Sequence, residues 1–365
     1  MASTIIDIPW SEPIVPAVSD PAWEAEVKRR AGSVAETYRR IAPVPWLREL
    51  CLTIDTSRLQ FLSRHLLNVV KMVTSQENSC RYCYGAARAY MRVMGYSESY
   101  IGRIERETQH AELDEKERAV IQFCRNLVRS NPRPAGPERE ALIRLGFTQP
   151  AVTELAFMIA GGCIFNRVTT LIACPPEHAF EQFAYGPLGR MLGLVAPVLR
   201  IFGGRTPRAA VAAAAAPAEM ENAPFERIFA VLSPLPSAVV LLRTALQDAM
   251  ASPLLPRRTK ALMVGVVGRS LDCNFCQREA MSLSAGDGLT EADVEASLAA
   301  LGSPKLEPYE NSLLTWVRDT VRYQPEAIQQ QTRVLSAEIG NLALLEAIGV
   351  AALANGVARL AMLLE

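Results

Sequence analysis

Residues 79–91 read SCRYCYGAARAYM, and residues 272–282 read DCNFCQREAMS. Each stretch holds two cysteines three apart, Cys80 with Cys83 and Cys273 with Cys276, at the head of a helix-compatible segment. That spacing is about one helical turn, so both sulfurs of a pair fall on one face. A thiolate at a helix N-terminus gains from the dipole and from unpaired N–H groups, which lower its pKa. Its neighbour one turn on can close a disulfide. The chemistry this suggests is dithiol redox. Ser79 and Asp272 are good N-cap residues, which would put Cys80 and Cys273 at N1 and Cys83 and Cys276 at N4. Zinc and inert packing are the competing readings. Structural zinc pairs favour tight Gly-bearing turns close together in sequence, whereas these pairs lie 193 residues apart with Tyr82 and Phe275 between the sulfurs.

The elements that must hold these cysteines are helices. Segments 113–130, 151–173, 241–251 and 338–364 carry apolar residues at three and four spacing, and no run alternates with the period of a strand, which predicts an all-α fold.

The sequence also repeats. LDEKERAVIQFCRNLVRSNP (113–132) lies on LEPYENSLLTWVRDTVRYQP (306–325), matching at Leu113/Leu306, Glu117/Glu310, Arg125/Arg318, Val128/Val321, Arg129/Arg322 and Pro132/Pro325. The offset is 306 − 113 = 193, the same as 273 − 80 for the cysteine pairs. APVPWL (42–47) meets SPLPSA (233–238), and NRVTTL (166–171) meets NGVARL (355–360), at offsets of 191 and 189. Order and spacing hold throughout, so we expect two homologous helical repeats in tandem, 33–185 and 222–365, after an extension over 1–32 and around a linker over 186–221. Cys51, Cys124, Cys163 and Cys174 fall opposite Leu242, Val317, Ala352 and Leu363 and are read as small buried hydrophobes. Asp114 with Glu117, and Glu307 with Pro308 and Glu310, have the pattern of helix starts, so the repeated glutamates are expected to be structural. The repeated arginines are expected to be solvated helix-face partners.

Within the linker, Leu188, Met191, Leu192, Val195, Leu199 and Phe202 share one helical face, Arg190 and Arg200 lie elsewhere, and Pro197 would kink the helix. The segment is too short and too charged to span a bilayer, so no stable membrane insertion is expected. Docking of its apolar face on a repeat is the expectation, with interfacial membrane contact as the alternative. The Ala-rich remainder reads as a flexible connection.

Composition bounds the rest. The 365 residues are half hydrophobic, with Lys+Arg and Asp+Glu both at 38. That describes a packed protein of two ordinary domains without the basic footprint of a nucleic-acid binder. MASTIIDIPWSEPIVPAVSD lacks the basic n-region of a signal peptide, so the cytoplasm is the expected compartment, with mostly free thiols.

A family resemblance enters through VTSQENSCRYCYGAARAYM, GYSESYIGRI, the LDEKERAVIQFCRNLVRSNP segment and LGFTQPAVTELAFMIAGGCIFNRVTTLI, which together cover nearly all of the first repeat. These resemble the alkylhydroperoxidase D and carboxymuconolactone decarboxylase family, in its peroxidase-related branch. RRTKALMVGVVGRSLDCNFCQREAM, LEPYENSLLTWVRDTVRYQP and the final NGVARL segment match more loosely. The resemblance implies an all-helical homo-oligomer that reduces hydroperoxides with its Cys-x-x-Cys pair, the second cysteine meeting the peroxide and the first resolving it. By that analogy Cys83 and Cys276 are peroxidatic, whereas the dipole argument favours the first cysteine of each pair. A thiol reductant protein is the implied partner, and no cofactor or metal is implied.

The family motif also has a Glu twelve residues before the first cysteine and a His four after the second, which relay the proton. Here Asn68 and Ala87 stand there in the first repeat, and Ala261 and Ala280 in the second. A missing general base forfeits on the order of 10²- to 10⁴-fold in rate. His65, three residues before Asn68, is the candidate substitute in the first repeat. Two functions are therefore carried forward: a slow dithiol oxidoreductase acting on peroxides or disulfides, and a non-catalytic scaffold or redox sensor. Decarboxylase chemistry ranks third, because it needs acid–base side chains where these sites keep sulfurs.

Overall fold

The computed structural model describes residues 10–57, 60–106, 112–131, 136–202, 224–284 and 288–364. Every regular element among these residues is helical. α1 (Pro21–Ala31), α2 (Glu36–Arg40) and α3 (Pro45–Thr56) lead into α4 (Arg64–Glu77) and α5 (Arg81–Val93), which packs back on α4. α6 (Glu98–Glu105), α7 (Glu115–Arg129), α8 (Gly136–Arg144) and α9 (Gln149–Leu171) follow, and α10 (His178–Tyr185) and α11 (Pro187–Phe202) complete the first half. The second half comprises α12 (Glu226–Val231), α13 (Pro236–Ala251), α14 (Arg257–Ser270), α15 (Asn274–Ser284), α16 (Glu291–Ala300), α17 (Pro308–Asp319) and α18 (Pro325–Leu360), and ends in a 3-10 turn.

Local chemistry sets many of these boundaries. Ser63, Ser97, Asp114 and Thr148 each accept the backbone N–H three residues on, which caps α4, α6, α7 and α9. At α17 the Glu310 carboxylate takes the Glu307 N–H at 2.8 Å, as a capping-box glutamate should. The Glu117 carboxylate is engaged elsewhere, with His65 and Tyr100. α18 is broken at Gly340, whose φ of 77° and ψ of 164° only glycine adopts without strain, so the helical segment expected over 338–364 is its buried second part.

In the first half α4 packs against α5, α7 and α9, and in the second α14 packs against α15, α17 and α18. α9 and α18 meet along the seam between the halves. Gly356 permits this approach, since a Cβ there would stand 3.2 Å from the Ala160 carbonyl and closer still to Ile164. Two buried arginines cross the seam in opposite directions. Arg167 of α9 donates to the Thr320 and Val321 carbonyls at 3.1 and 2.9 Å, just past the end of α17. Arg359 of α18 donates to the Val128 carbonyl at 3.2 and 2.9 Å, in the last turn of α7. Each guanidinium thus satisfies helix-end carbonyls of the other half. α9 and α18 are each long and apolar enough to cross a membrane, but 89% of each apolar window is buried inside the protein.

Two sequence expectations need correction. Arg125 is not solvated: it is 3% exposed and bonds Glu77 at 2.7 Å and the Ile104 carbonyl at 3.2 Å, because α7 rolls that face onto α4. Arg129 and Arg318 do lie at the surface, with Glu77 and Asp319, while Arg322 donates to the Ser130 carbonyl of the other half. α11 docks on α5 and α10, but through its small residues. Gly189, Gly193 and Ala196 face the protein, whereas Leu188, Met191, Leu194 and Val195 are exposed. Larger side chains on the docked face would collide with backbone, which reverses the expected orientation. The side chains of Pro197, Leu199, Arg200 and Phe202, and the Ala-rich connection over 203–223, lie outside the described residues.

Cys51, Cys124, Cys163 and Cys174 are all buried, as their apolar counterparts suggested. Burial pushes the thiols of Cys51, Cys124 and Cys174 up, and Thr74 and Thr37 hydroxyls lie 3.2 and 3.1 Å from Cys124 and Cys174.

Candidate functional site

The first cysteine pair is built from the turn that joins α4 to α5. Ser79 takes a left-handed conformation, with φ of 49°, and the Cys80 N–H returns to the Ser75 carbonyl at 3.0 Å. The chain thus enters α5 one residue later than Ser79 as N-cap would place it. Cys80 is itself the N-cap: its sulfur accepts the Cys83 N–H at 3.3 Å, and Cys83 falls at N3. The sulfur therefore occupies the position an N-cap oxygen would hold, with a helix N–H aimed at it.

α9 supplies the next partner. The Thr169 hydroxyl lies 3.1 Å from the Cys80 sulfur and 3.3 Å from the Cys83 sulfur. Burial pushes the Cys80 thiol up, but the hydrogen bonds around it, from the Cys83 thiol, the Thr169 hydroxyl and the Cys83 N–H, outweigh it and bring it below the ordinary cysteine range. The Cys83 thiol moves well above that range, through burial and through its bond to, and the charge of, Cys80. One negative charge is thus held by two sulfurs, chiefly on Cys80. Exposure runs the other way: Cys80 is fully buried and Cys83 is partly accessible. The second half contributes Tyr323, whose ring lies 5.7 Å from the Arg167 guanidinium. Burial pushes its phenol up to about 12, Arg167 opposes this, and the Cys80 charge adds to it.

The first turn of α5 is braced from outside. Arg81 makes a paired contact with Glu181 of α10 at 2.7 and 2.8 Å, and the Tyr82 hydroxyl donates to Glu177 at 3.1 Å. Thr169 and Tyr323 were not visible as site residues in the sequence. The one available signal was that Thr169 has an alanine as its counterpart in the second half at either spacing, Ala358 at 189 or Ala361 at 192.

The second pair repeats the backbone and changes the surroundings. Asp272 has φ of 54°, the Cys273 N–H returns to the Gly268 carbonyl at 2.7 Å, and the Cys276 N–H reaches the Cys273 sulfur at 3.3 Å. Here too the first cysteine directly precedes the helix and does not stand at N1. The two sulfurs lie 3.0 Å apart, both buried, and α14 presses so closely that a Cβ at Gly268 would stand 2.8 Å from that of Cys276. Ala261 and Ala280 are fully buried. Among the described residues neither pair is joined by further Cys, His, Asp or Glu side chains into a metal-binding group.

The structure does not bring His65 to the cysteines. It stands on the first turn of α4, with roughly 18 Å of helix between it and Glu77, while Cys80 lies beyond the last turn. Its Nδ1 is 2.9 Å from the Tyr96 hydroxyl and its Nε2 meets Glu117 and, at 3.1 Å, the Tyr100 hydroxyl. Tyr100 also donates to Glu117 at 2.6 Å. This cluster ties α4 to α6 and α7. Asn68 and Ala87, where the resemblance calls for the relay, are partly buried. Comparison of the chain with family models, with curated proteins and with solved structures finds no match.

Proposed function

We propose that the chain is a dithiol oxidoreductase of the alkylhydroperoxidase D type, in which the Cys80–Cys83 pair reduces hydroperoxides. The observation that carries this is the difference within the pair: a fully buried Cys80 sulfur that accepts the Cys83 N–H and lies 3.1 Å from the Thr169 hydroxyl, beside a Cys83 that is less completely buried. The arrangement offers a replacement for the absent Glu and His. As Cys83 sulfur attacks the distal peroxide oxygen, its proton passes to the Cys80 thiolate and the O–O bond breaks. The leaving alkoxide then takes that proton and departs as the alcohol, which leaves a sulfenic acid on Cys83 and a thiolate on Cys80. Cys80 attacks the Cys83 sulfur and expels hydroxide, which solvent protonates to water, so the peroxide gains two electrons and the dithiol becomes a disulfide. A dithiol of a partner protein restores the pair: one partner thiolate forms a mixed disulfide and releases one cysteine, and the second partner thiol releases the other and leaves the partner as a disulfide.

The same reading takes the chain as two homologous repeats, 33–185 and 222–365, fused as a pseudo-dimer. Several pairings support it. His65–Glu117 recurs 193 residues on as Arg258–Glu310, bonded at 2.7 Å. Glu154, which accepts the N–H groups of residues 60, 61 and 62 at 2.7–2.9 Å, stands 192 before Glu346, which meets Lys260 and Trp46. The seam arginines are separated by the same 192, so along α9 and α18 this spacing replaces the 189 expected from NRVTTL on NGVARL. Two-fold reciprocity of this kind is what an isologous dimer interface becomes when its subunits are joined. Such a protein is expected to work in the cytoplasm and to self-associate further.

A second reading is favoured by one observation. The Cys273–Cys276 pair is sealed from solvent, so in the second half the motif serves packing or redox sensing and the half acts as scaffold. Mass mapping of thiols before and after mild peroxide tests both. The proposal expects a Cys80–Cys83 disulfide formed with loss of one peroxide per pair. Eight unreactive thiols would leave the scaffold reading for the whole chain.

A further inference from the structure

We propose that Arg167 is a positioning residue for the Cys80 sulfur, and that the second half takes part in the cysteine site through it. Its part in the reaction rests on the redox reading given above. Arg167 is 1% exposed, and its guanidinium joins three parts of the molecule. It reaches the second half at the Thr320 and Val321 carbonyls and its own helix at the Cys163 carbonyl, 3.2 Å away. It reaches the cysteine turn at the side-chain carbonyl of Asn78, 3.0 Å away. Asn78 is the C-cap of α4, and its amide donates to the Thr74 carbonyl at 2.9 Å. The Asn78 side chain therefore ties the end of α4, two residues before Cys80, to Arg167.

α9 is thereby fastened to this turn at two points. Arg167 holds Asn78, and Thr169, two residues on, places its hydroxyl 3.1 Å from the Cys80 sulfur. A hydrogen bond weakens steeply as its geometry departs from ideal, so the contact at the sulfur depends on the register that Arg167 and Asn78 fix. The four acceptors of Arg167 are all carbonyl oxygens, which the guanidinium fork engages together and the three donors of a lysine ammonium could not.

The second half shows the same arginine without this link. At the 193-residue offset of the cysteine pairs, Asn78 corresponds to Leu271, which has no side-chain acceptor. Arg359 directs the same nitrogen to Asn355 of its own helix, at 3.0 Å from both the backbone and the side-chain carbonyl. The counterpart of Thr169 there is an alanine. The clamp is thus present where a hydroxyl must be aimed at a sulfur and absent where there is no hydroxyl to aim.

The test is thiolate absorbance followed against pH in the full chain. Asn78→Leu copies the second half and leaves Arg167 its three backbone acceptors, with Asn78→Ala as the smaller variant should leucine prevent folding. Either is expected to move the Cys80 titration up by about one pH unit. Thr169→Val should give a shift of the same size, and Asn78→Leu/Thr169→Val no more than either alone, because both changes act through one hydrogen bond. Cys174 and Tyr323 also lie within electrostatic reach of Cys80, but burial holds both above the ordinary cysteine range and they stay out of this titration. An unmoved titration in a folded Asn78 variant would overturn the proposal. So would fully additive shifts in the double variant, which would show that Asn78 acts apart from Thr169. Peroxide treatment of the parent separates the two claims. If no Cys80–Cys83 disulfide forms yet the shifts appear, the redox reading fails and the clamp stands; if the disulfide forms and the shifts do not appear, the clamp fails alone.

Discussion

At Cys80 and Cys83 a threonine hydroxyl reaches both sulfurs and the second cysteine is only partly buried, whereas at Cys273 and Cys276 the sulfurs face each other 3.0 Å apart under a glycine of α14. The backbone is the same in both: a left-handed residue, a return bond five residues back, and an N–H donated to the first sulfur. A Cys-x-x-Cys at a helix start therefore fixes disulfide geometry but not reactivity. Reactivity depends on what the packing helix presents, which is Thr169 on α9 in one case and the close approach of Gly268 on α14 in the other.

The sharpest way to break this contrast is to delete one sulfur from each half. Cys83→Ser is expected to abolish peroxide consumption, while Cys276→Ser leaves the rate within twofold; loss in the second variant and not the first would exchange the roles of the halves. Next in size is restoration of the relay. Asn68→Glu with Ala87→His should raise peroxide reduction by about 10²-fold, an increase that Cys83→Ser removes. The matching Ala261→Glu with Ala280→His should instead destabilise the protein by at least 3 kcal/mol, because both alanines are fully buried and the new groups would be left unpaired.

A smaller effect is expected at Thr169. Thiolate absorbance near 240 nm should reveal one thiol that ionises below the ordinary range, since the charged form is the one the hydrogen bonds stabilise. Thr169→Val should move that titration up by about one pH unit, Thr169→Ser should leave it in place, and Cys80→Ser should eliminate it. An unmoved titration in the valine variant would remove the hydroxyl from the account. The smallest effect belongs to His65. His65→Gln should cost about 1 kcal/mol in denaturant unfolding and leave the peroxide rate unchanged, as a tie between helices would. A rate loss at unchanged stability would return His65 to the mechanism.

These comparisons also show what the sequence made legible. The cysteine pairs, the helical class and the sorting of the other four cysteines could be read because each depends on local periodicity or on self-similarity. The cap was misplaced by one residue because Ser79 and Asp272 look like N-caps in isolation. The turn that returns Cys80 to Ser75 forces them into the left-handed region instead. Arg125 and the face of α11 were misread for a related reason. Helix amphipathicity identifies an apolar side, but at Gly189 and Gly193 close backbone approach decides which side docks. Thr169 was out of reach, since it lies 86 residues from Cys83 and its role exists only once α9 crosses the site.

The reciprocal arginines have a consequence for how the molecule comes apart. A first half unfolding alone would strip Arg359 of its acceptor at Val128, and withdrawing Arg167 would leave the Thr320 and Val321 carbonyls open. Neither half can melt without raising the free energy of the other, so heat denaturation should follow a single calorimetric transition whose van't Hoff and calorimetric enthalpies agree. The same coupling makes the protein a poor candidate for separation into independently folding pieces. A protease that cuts between residues 203 and 223 should yield two fragments that remain associated and melt as one.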